Sequence, residues 1–473
     1  MPPTVDLVVI GSGPGGHAAA LTAARRGLRV GLIEREHIGG VCLNIGCIPT
    51  KALLAVAHLI RRLHDAPRFG ITIKGYELDF PAVMARNERI IDTLRRGLRD
   101  VLRRERVEVI SGNAAFANPH RLVVAGEGPG QTVDAQRLIL ATGARPFAGP
   151  WTFDERLIMS YRGLLSLTTL PKRLLIIGGG SIGCEFASCF SAFGSQVTVV
   201  EQQPQLLPVE DPEAVRWLAR RLETQGASLR TGTTVRELTT SANEVTATLS
   251  DGATVTADRC LVAIGQRPNT ESLQLSAAGV ACDRGVTVDP YLRTSQPHIA
   301  AIGDCLEGHG LAHWASAEGC LAVRNLLGDP PEQLDANDVP RCVFTDPEIA
   351  QIGPTTDAAE DDRVRISRFS FAALGKSHCD EDTEGFVKLT VDRATDRLRG
   401  ATIVSANASS LIHYAVLAKR HGLTAKQLAR TITAHPTLPE SITEAAASVY
   451  GESLAAAARS VARNPQETAR HGR

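Results

Sequence analysis

The sequence predicts an α/β protein with two parallel-sheet βαβ units and a C-terminal α+β domain. Three observations predict this class. A glycine-rich turn joins two short apolar runs near the N-terminus, the same pattern returns at Gly178, and the patterning changes to apolar/polar alternation after about Pro340.

In chain order, Val5 to Ile10 is an apolar run ending in Gly11-Ser-Gly13-Pro-Gly-Gly16. A helical stretch reaches Arg26, and Arg29 to Ile33 forms a second strand closed by Glu34. This is a complete Rossmann-like fingerprint. Gly11 permits the tight turn, Gly13 lets backbone approach a pyrophosphate, and Gly16 lets helix pack closely on strand. Glu34 is placed to accept hydrogen bonds from a ribose 2′-hydroxyl. Arg173 to Ile177, Gly178-Gly-Gly180-Ser-Ile-Gly183, a helix to about Phe193, the strand Gln196 to Val200 and Glu201 repeat the unit, so two dinucleotides are implied. The Glu201 carboxylate would repel a 2′-phosphate, and Gln202, Gln203 and Pro204 supply no cation to hold one. NAD is favoured over NADP.

Between the units, Met84 to Arg104 reads as a helix, with Ile90, Ile91, Leu94, Leu98 and Val101 on a helical spacing and its arginines on a solvated face. Leu138 to Gly143, with Thr142, and Leu261 to Gly265 are buried strands ending in glycine, which suits a chain passing close to a cofactor and equally suits ordinary structure. Ile299 to Asp304 is a third such strand. Its terminal acid could receive a ligand hydroxyl or cap a helix. Beyond Pro340, Phe386 to Val391 and Gly400 to Val404 read as antiparallel strands, and Leu411 to Lys419 and Ala425 to Thr431 as helices. From about Arg463 the chain reads as a mobile tail. The division expected is 1–148, 149–271, 272–340 and 341–473.

At 473 residues, 43% hydrophobic and 22% charged, the chain can bury more than one core. Zero formal net charge gives no reason to expect nucleic acid or an anionic membrane as partner. No apolar run in the sequence reads as a membrane span. A strand beginning at Val5 leaves no room for a leader, so a cytosolic (cytoplasmic) location is expected, or an organelle matrix if a leader has been removed. Ten cysteines without framework spacing fit a reducing compartment, and without a CxxC pair no zinc or other metal site is expected.

Two of those cysteines, Cys42 and Cys47, lie in GGVCLNIGCIPTK (39–51), just past the first fingerprint. In a regular helix residues five apart stand about 140° round the axis, too far apart to bridge. A bond therefore requires a distorted first turn, with latitude from Asn44 and Gly46 and with Pro49 opening the helix that Lys51 continues. Thiols at a helix N-terminus are biased toward thiolate. Cys184 and Cys189 repeat the spacing inside a predicted helix and read as packing. By its context the first pair reads as a redox disulfide.

With these thiols, the two fingerprints and His435-Pro436, the chain resembles the flavoprotein disulfide reductases, and among them the branch acting on dihydrolipoamide, over nearly its whole length. The segments 39–51, Val262 to Asn269, Ile299 to Asp304, Leu311 to His313, Val343 to Glu348 and His435 to Glu440 look like that family's signatures. The resemblance implies FAD on the first fingerprint and NAD on the second. It implies that Asp304 holds the flavin's ribityl chain, with Ala312 and His313 beside the ring. Cys42 would meet substrate, and Cys47 would face the flavin as thiolate. Lys51 and Glu185 match the family's ion pair near the reactive flavin nitrogen. His435 resembles the acid–base catalyst and Glu440 its orienting carboxylate, both supplied by the partner subunit of a homodimer, which makes the C-terminal segment a dimerisation domain. Independently of the family, thiol exchange needs a group that moves protons near working pH, and histidine meets that need.

The activity implied is reoxidation of dihydrolipoamide to lipoamide with NAD+, in service of a 2-oxo acid dehydrogenase complex. The chain departs from the family at Thr433, Pro439 and Trp314, and in a shorter, more acidic stretch from Pro354 to Arg363. These departures bear on substrate fit and docking. Glu201 opposes an NADP-dependent glutathione reductase, and the absence of cysteine after Cys379 opposes mercuric and large thioredoxin reductases. The rivals are a reductase of another low-molecular-weight disulfide and a flavin-binding regulatory scaffold.

Overall fold

The computed structural model describes residues 4–126, 130–308, 310–354 and 362–455. Its chain divides into two compact units, the first from the described parts of 1–60, 75–203 and 227–334, the second from those of 61–74, 204–226 and 335–473.

In the first unit the N-terminal fingerprint is β1 (Thr4–Ile10), α1 (Pro14–Arg25) and β2 (Val30–Glu34), followed by α2 (Gly40–Ile45), α3 (Cys47–Asp65) and α4 (Phe80–Arg104). Strands β3 (Glu108–Ser111), β4 (Asn113–Asn118), β5 (Arg121–Ala125) and β6 (Gln131–Leu140) complete a sheet of order β3-β2-β1-β6-β5-β4. The β3-β2-β1-β6 part is parallel, with Val8 opposite both Gly31 and Leu138. β1 is buried throughout its apolar length because both sheet faces are covered. α1 turns Gly15, Gly16, Ala19, Ala20 and Ala23 inward, and this small-residue face allows a close approach.

Residues 161–164 form the short helix α5 (Tyr161–Leu164), and the second fingerprint follows as β7 (Arg173–Ile177), α6 (Ser181–Ala192) and β8 (Gln196–Val200). With β9 (Ser228–Arg230), β10 (Arg259–Val262) and the short strand Ile158–Met159 they form a second, parallel sheet of order β9-β8-β7-β10 ending on that short strand. β11 (Ile299–Ala301) returns to the first sheet, lying parallel to the end of β6, and α7 (Ala312–Leu327) packs on α1. An added Cβ at Gly319 of α7 would overlap the Gly15 carbonyl, so that contact depends on the missing side chain.

In the second unit, β12 (Arg341–Val343), β13 (Glu348–Ile352), β14 (Val364–Ser370), β15 (Phe386–Asp392) and β16 (Leu398–Ser405) form an antiparallel sheet of order β12-β13-β16-β15-β14. Helices α8 (Ala408–Arg420) and α10 (Glu440–Ser448) bury Leu411, Ile412, Ala415, Ile442 and Ala445 in its core, while α9 (Ala425–Ala429) opens on a Thr424–Gln427 capping box. Helix Pro212–Thr224 belongs to this unit. Asp211 caps it and also receives Lys388 at 2.8 Å. The expected tail and most of the Pro354 to Arg363 departure lie outside the described residues.

Two expectations are corrected. Cys42 and Cys47 do not share one distorted helical turn: the helix breaks at Gly46 (φ −141°, ψ −107°), leaving Cys42 in α2 and Cys47 as the first residue of α3. Asn44 supplies no latitude. It is buried, donates to the Ile38 and Gly40 carbonyls at 3.0 and 2.8 Å, and accepts from Arg95 Nε at 2.9 Å. The expectation of no apolar span also needs revision, since Gly40–Phe69 is long and apolar enough, at mean hydropathy 1.6, to cross a membrane by length and composition alone. Its broken backbone and the burial of Leu53, Leu54, Ala57 and Ile60 are those of a core helix.

Candidate active site

Both glycine turns are built alike. At Gly11 and Gly178 φ is +98° and +106°, open to glycine at no steric cost, and an added Cβ would strike the carbonyls of Ala141 and Ala263. At Gly16 and Gly183 it would overlap the carbonyl oxygens of Gly11 and Gly178. Gly13 and Gly180 differ, because there it would meet no atom within 4 Å. Bare backbone thus faces open space at a helix N-terminus, the geometry a pyrophosphate needs.

Each turn is braced by its acid. Glu34 accepts from Ser12 N and Oγ at 3.0 and 2.5 Å, and Glu201 from Gly179 N and Gln203 N at 2.6 and 2.7 Å. Thr142 and Gly143 are held by Asn269. The Thr142 hydroxyl donates to its carbonyl at 2.7 Å, and the Asn269 amide N–H donates to the Gly143 carbonyl at 2.8 Å. Gly265 takes φ +130° just past β10.

Cys42 and Cys47 are free thiols, half-buried and hydrogen-bonded to each other. The Cys42 hydrogen bond, aided by the Lys51 charge, draws the Cys47 thiol below its ordinary value against the opposing effect of burial. Donating to Cys47, together with burial, pushes Cys42 up. The arrangement therefore favours charge on Cys47 over Cys42. Lys51 Nζ, one turn into α3, pairs with both oxygens of buried Glu185 of α6 at 2.9 and 2.7 Å. Cys184 and Cys189 are fully buried in α6.

At the end of β11, Asp304 is raised by burial. Ala312 and His313 open α7, His313 exposed. In the second unit His435 Nδ1 lies 2.9 Å from Glu440 Oε2, and Thr437 N donates to Glu440 Oε1 at 2.5 Å. Burial raises Glu440, but these hydrogen bonds outweigh it and leave the carboxyl below its usual range. The imidazole is 77% exposed, so its Nε2 edge is open to a group from outside its own fold.

Residues 5–319 match the model of the pyridine nucleotide-disulphide oxidoreductase family, and residues 339–446 match its dimerisation domain. The chain belongs to this family.

Among relatives of this oxidoreductase are dihydrolipoyl dehydrogenases of Chlamydia trachomatis and Bacillus subtilis. The first is 39% identical over 93% of this chain and 96% of its own, and the second 36% identical over 96% and 98%. Of solved structures, LpdA from Mycobacterium tuberculosis superposes with TM-score 0.88 at 32% identity, covering 93% of this chain and 99% of its own. The HOCl-induced flavoprotein disulfide reductase RclA from Escherichia coli gives 0.84 at 30%, covering 93% and 99%.

The oxidoreductase holds site residues that sequence reasoning passed over. Glu318, buried in α7, accepts from Gly303 N at 2.6 Å and from the Trp314 side chain. Burial, with a further push from Asp304, raises it to about 7. Its signal was its place four residues after Trp314, one helical turn along. Tyr161 had no signal in sequence, since only its burial beside distant parts of the chain distinguishes it.

Proposed function

We propose that this protein is a dihydrolipoyl dehydrogenase, oxidising dihydrolipoamide to lipoamide with NAD+. One observation supports this above the others: Cys42 and Cys47 are hydrogen-bonded to each other beside Lys51, an arrangement that favours thiolate at Cys47 and disfavours it at Cys42. The names of the relatives point the same way. Gly11, Gly13, Gly16 and Glu34 would hold FAD with Asp304, Thr142, Gly143, Ala312 and His313, while Gly178, Gly180, Gly183, Glu201 and Gly265 would hold NAD. Accordingly 1–148 and 272–340 are read as FAD-binding, 149–271 as NAD-binding and 341–473 as the dimerisation domain.

In the oxidised enzyme Cys42 and Cys47 are joined. His435 takes a proton from one substrate thiol, and the resulting thiolate attacks Cys42 Sγ, breaking the disulfide and releasing Cys47 as thiolate. The substrate's second thiol attacks the substrate sulfur of the mixed disulfide as protonated His435 gives its proton to the leaving Cys42 sulfur and takes the proton of the second thiol. Lipoamide leaves, with one substrate proton on Cys42 and the other on His435. The protein disulfide is reduced by two electrons and the dithiol is oxidised by two. Bound flavin supplies the two-electron relay from the thiols to NAD+. Glu440 keeps the imidazole oriented through Nδ1 and stabilises its protonated form.

A homodimer with His435 given in trans, a cytosolic setting, and service to a 2-oxo acid dehydrogenase complex complete the reading. Cys47→Ser should abolish lipoamide turnover while retaining FAD, and unchanged turnover refutes the assignment. Wild-type protein assayed on dihydrolipoamide and oxidised glutathione, with NAD and NADP, should prefer the first of each. Preference for glutathione would overturn the substrate.

A further inference from the structure

Tyr161 is the first residue of α5, behind the Ser160 cap, and is 7% exposed. Its phenol oxygen is fully buried and makes no hydrogen bond among the described residues. Nearly all buried polar atoms are paired, so one left over beside a ligand site is available for a bond to the ligand. The charges acting on the ring are Arg162, Asp304, Cys47 and Glu155. Two of these are committed elsewhere. Glu155 accepts from Ser160 Oγ at 2.7 Å and Gly163 N at 2.9 Å, and Arg162 reaches Glu36 at 3.2 Å. The other two, Asp304 and Cys47, are the groups assigned above to opposite parts of the flavin. Burial pushes the phenol up to about 12, which keeps it a proton donor throughout the working range.

We propose that the Tyr161 hydroxyl donates a hydrogen bond to an acceptor atom of the bound flavin nucleotide, making Tyr161 a cofactor-binding residue beyond the glycine turn and Asp304. This rests on the FAD reading above. A hydroxyl unpaired without ligand and paired with it has opposite effects on the two states. Removing it relieves the ligand-free protein and weakens the complex.

The test uses full-length wild-type and Tyr161→Phe protein stripped of flavin, with FAD binding followed by quenching of flavin fluorescence and thermal unfolding by circular dichroism. Tyr161→Phe should bind FAD about tenfold more weakly, with a flavin-free Tm equal to or above wild type. Equal affinity overturns the proposal. A lowered flavin-free Tm also overturns it, since the phenol then has a partner within the protein. Wild-type protein that takes up no FAD would instead overturn the FAD reading itself, and this inference with it.

Discussion

Beside the Cys42 hydrogen bond, which does most to lower the Cys47 thiol, the Lys51 ammonium also favours the Cys47 thiolate while Glu185 behind it opposes that charge. Replacing Lys51 with methionine removes the favourable ammonium and keeps the opposing Glu185 carboxylate. The Cys47 pKa, lowered in the wild type, should then rise. A lowered thiol pKa keeps the thiolate present above that pKa and loses it as pH falls through it, so the variant should lose its thiolate at higher pH. Titrating the ultraviolet thiolate absorbance of reduced protein measures this, and an unmoved midpoint removes Lys51 from the role. The motif 39–51 made the thiols and Lys51 legible in sequence. Asn44 was misread because its amide completes a buried network with Arg95, fifty-one positions away, which spacing cannot reveal.

At the scale of elements, the two βαβ units repeat one construction, with the third glycine of each turn pressed on the carbonyl of the first. Gly16→Ala or Gly183→Ala should cost about 3 kcal/mol or more, seen as a large fall in Tm or loss of soluble protein. Gly13→Ala faces open space and should fold with stability changed by about 0.5 kcal/mol or less, yet lose FAD affinity as the methyl holds the pyrophosphate off the backbone. An unaffected Gly16→Ala Tm, or Gly13→Ala with normal FAD binding, would break this division of labour. Strands and helices of the fingerprints were readable because apolar period, glycine turn and terminal acid coincide. Gly46 was read as latitude in one distorted turn before Pro49, and only the observed backbone shows a separate helix on each side of it.

For the whole molecule, the open question is which chain supplies His435. If the partner does, a Cys47→Ser chain and a His435→Gln chain are each inactive as homodimers, but a mixed dimer regains one intact site, with cysteine from one chain and histidine from the other. Dissociating and reassociating the two variants should restore measurable dihydrolipoamide turnover, and no recovery despite mixed dimers would place both groups in one chain. In the second unit a well-buried antiparallel core carries the His435–Glu440 pair, with the imidazole exposed.

Sequence by itself determined the elements whose signals are local: both glycine fingerprints and their acids, the spaced thiols, the strands and helices of the C-terminal sheet. These follow from backbone sterics and periodic burial, which act over a few residues. Tertiary structure alone decided which carbonyls the glycines must clear, and that Glu318 and the Tyr161 hydroxyl are buried. Those depend on desolvation and on neighbours far away in the chain, and neither exists until the chain has folded.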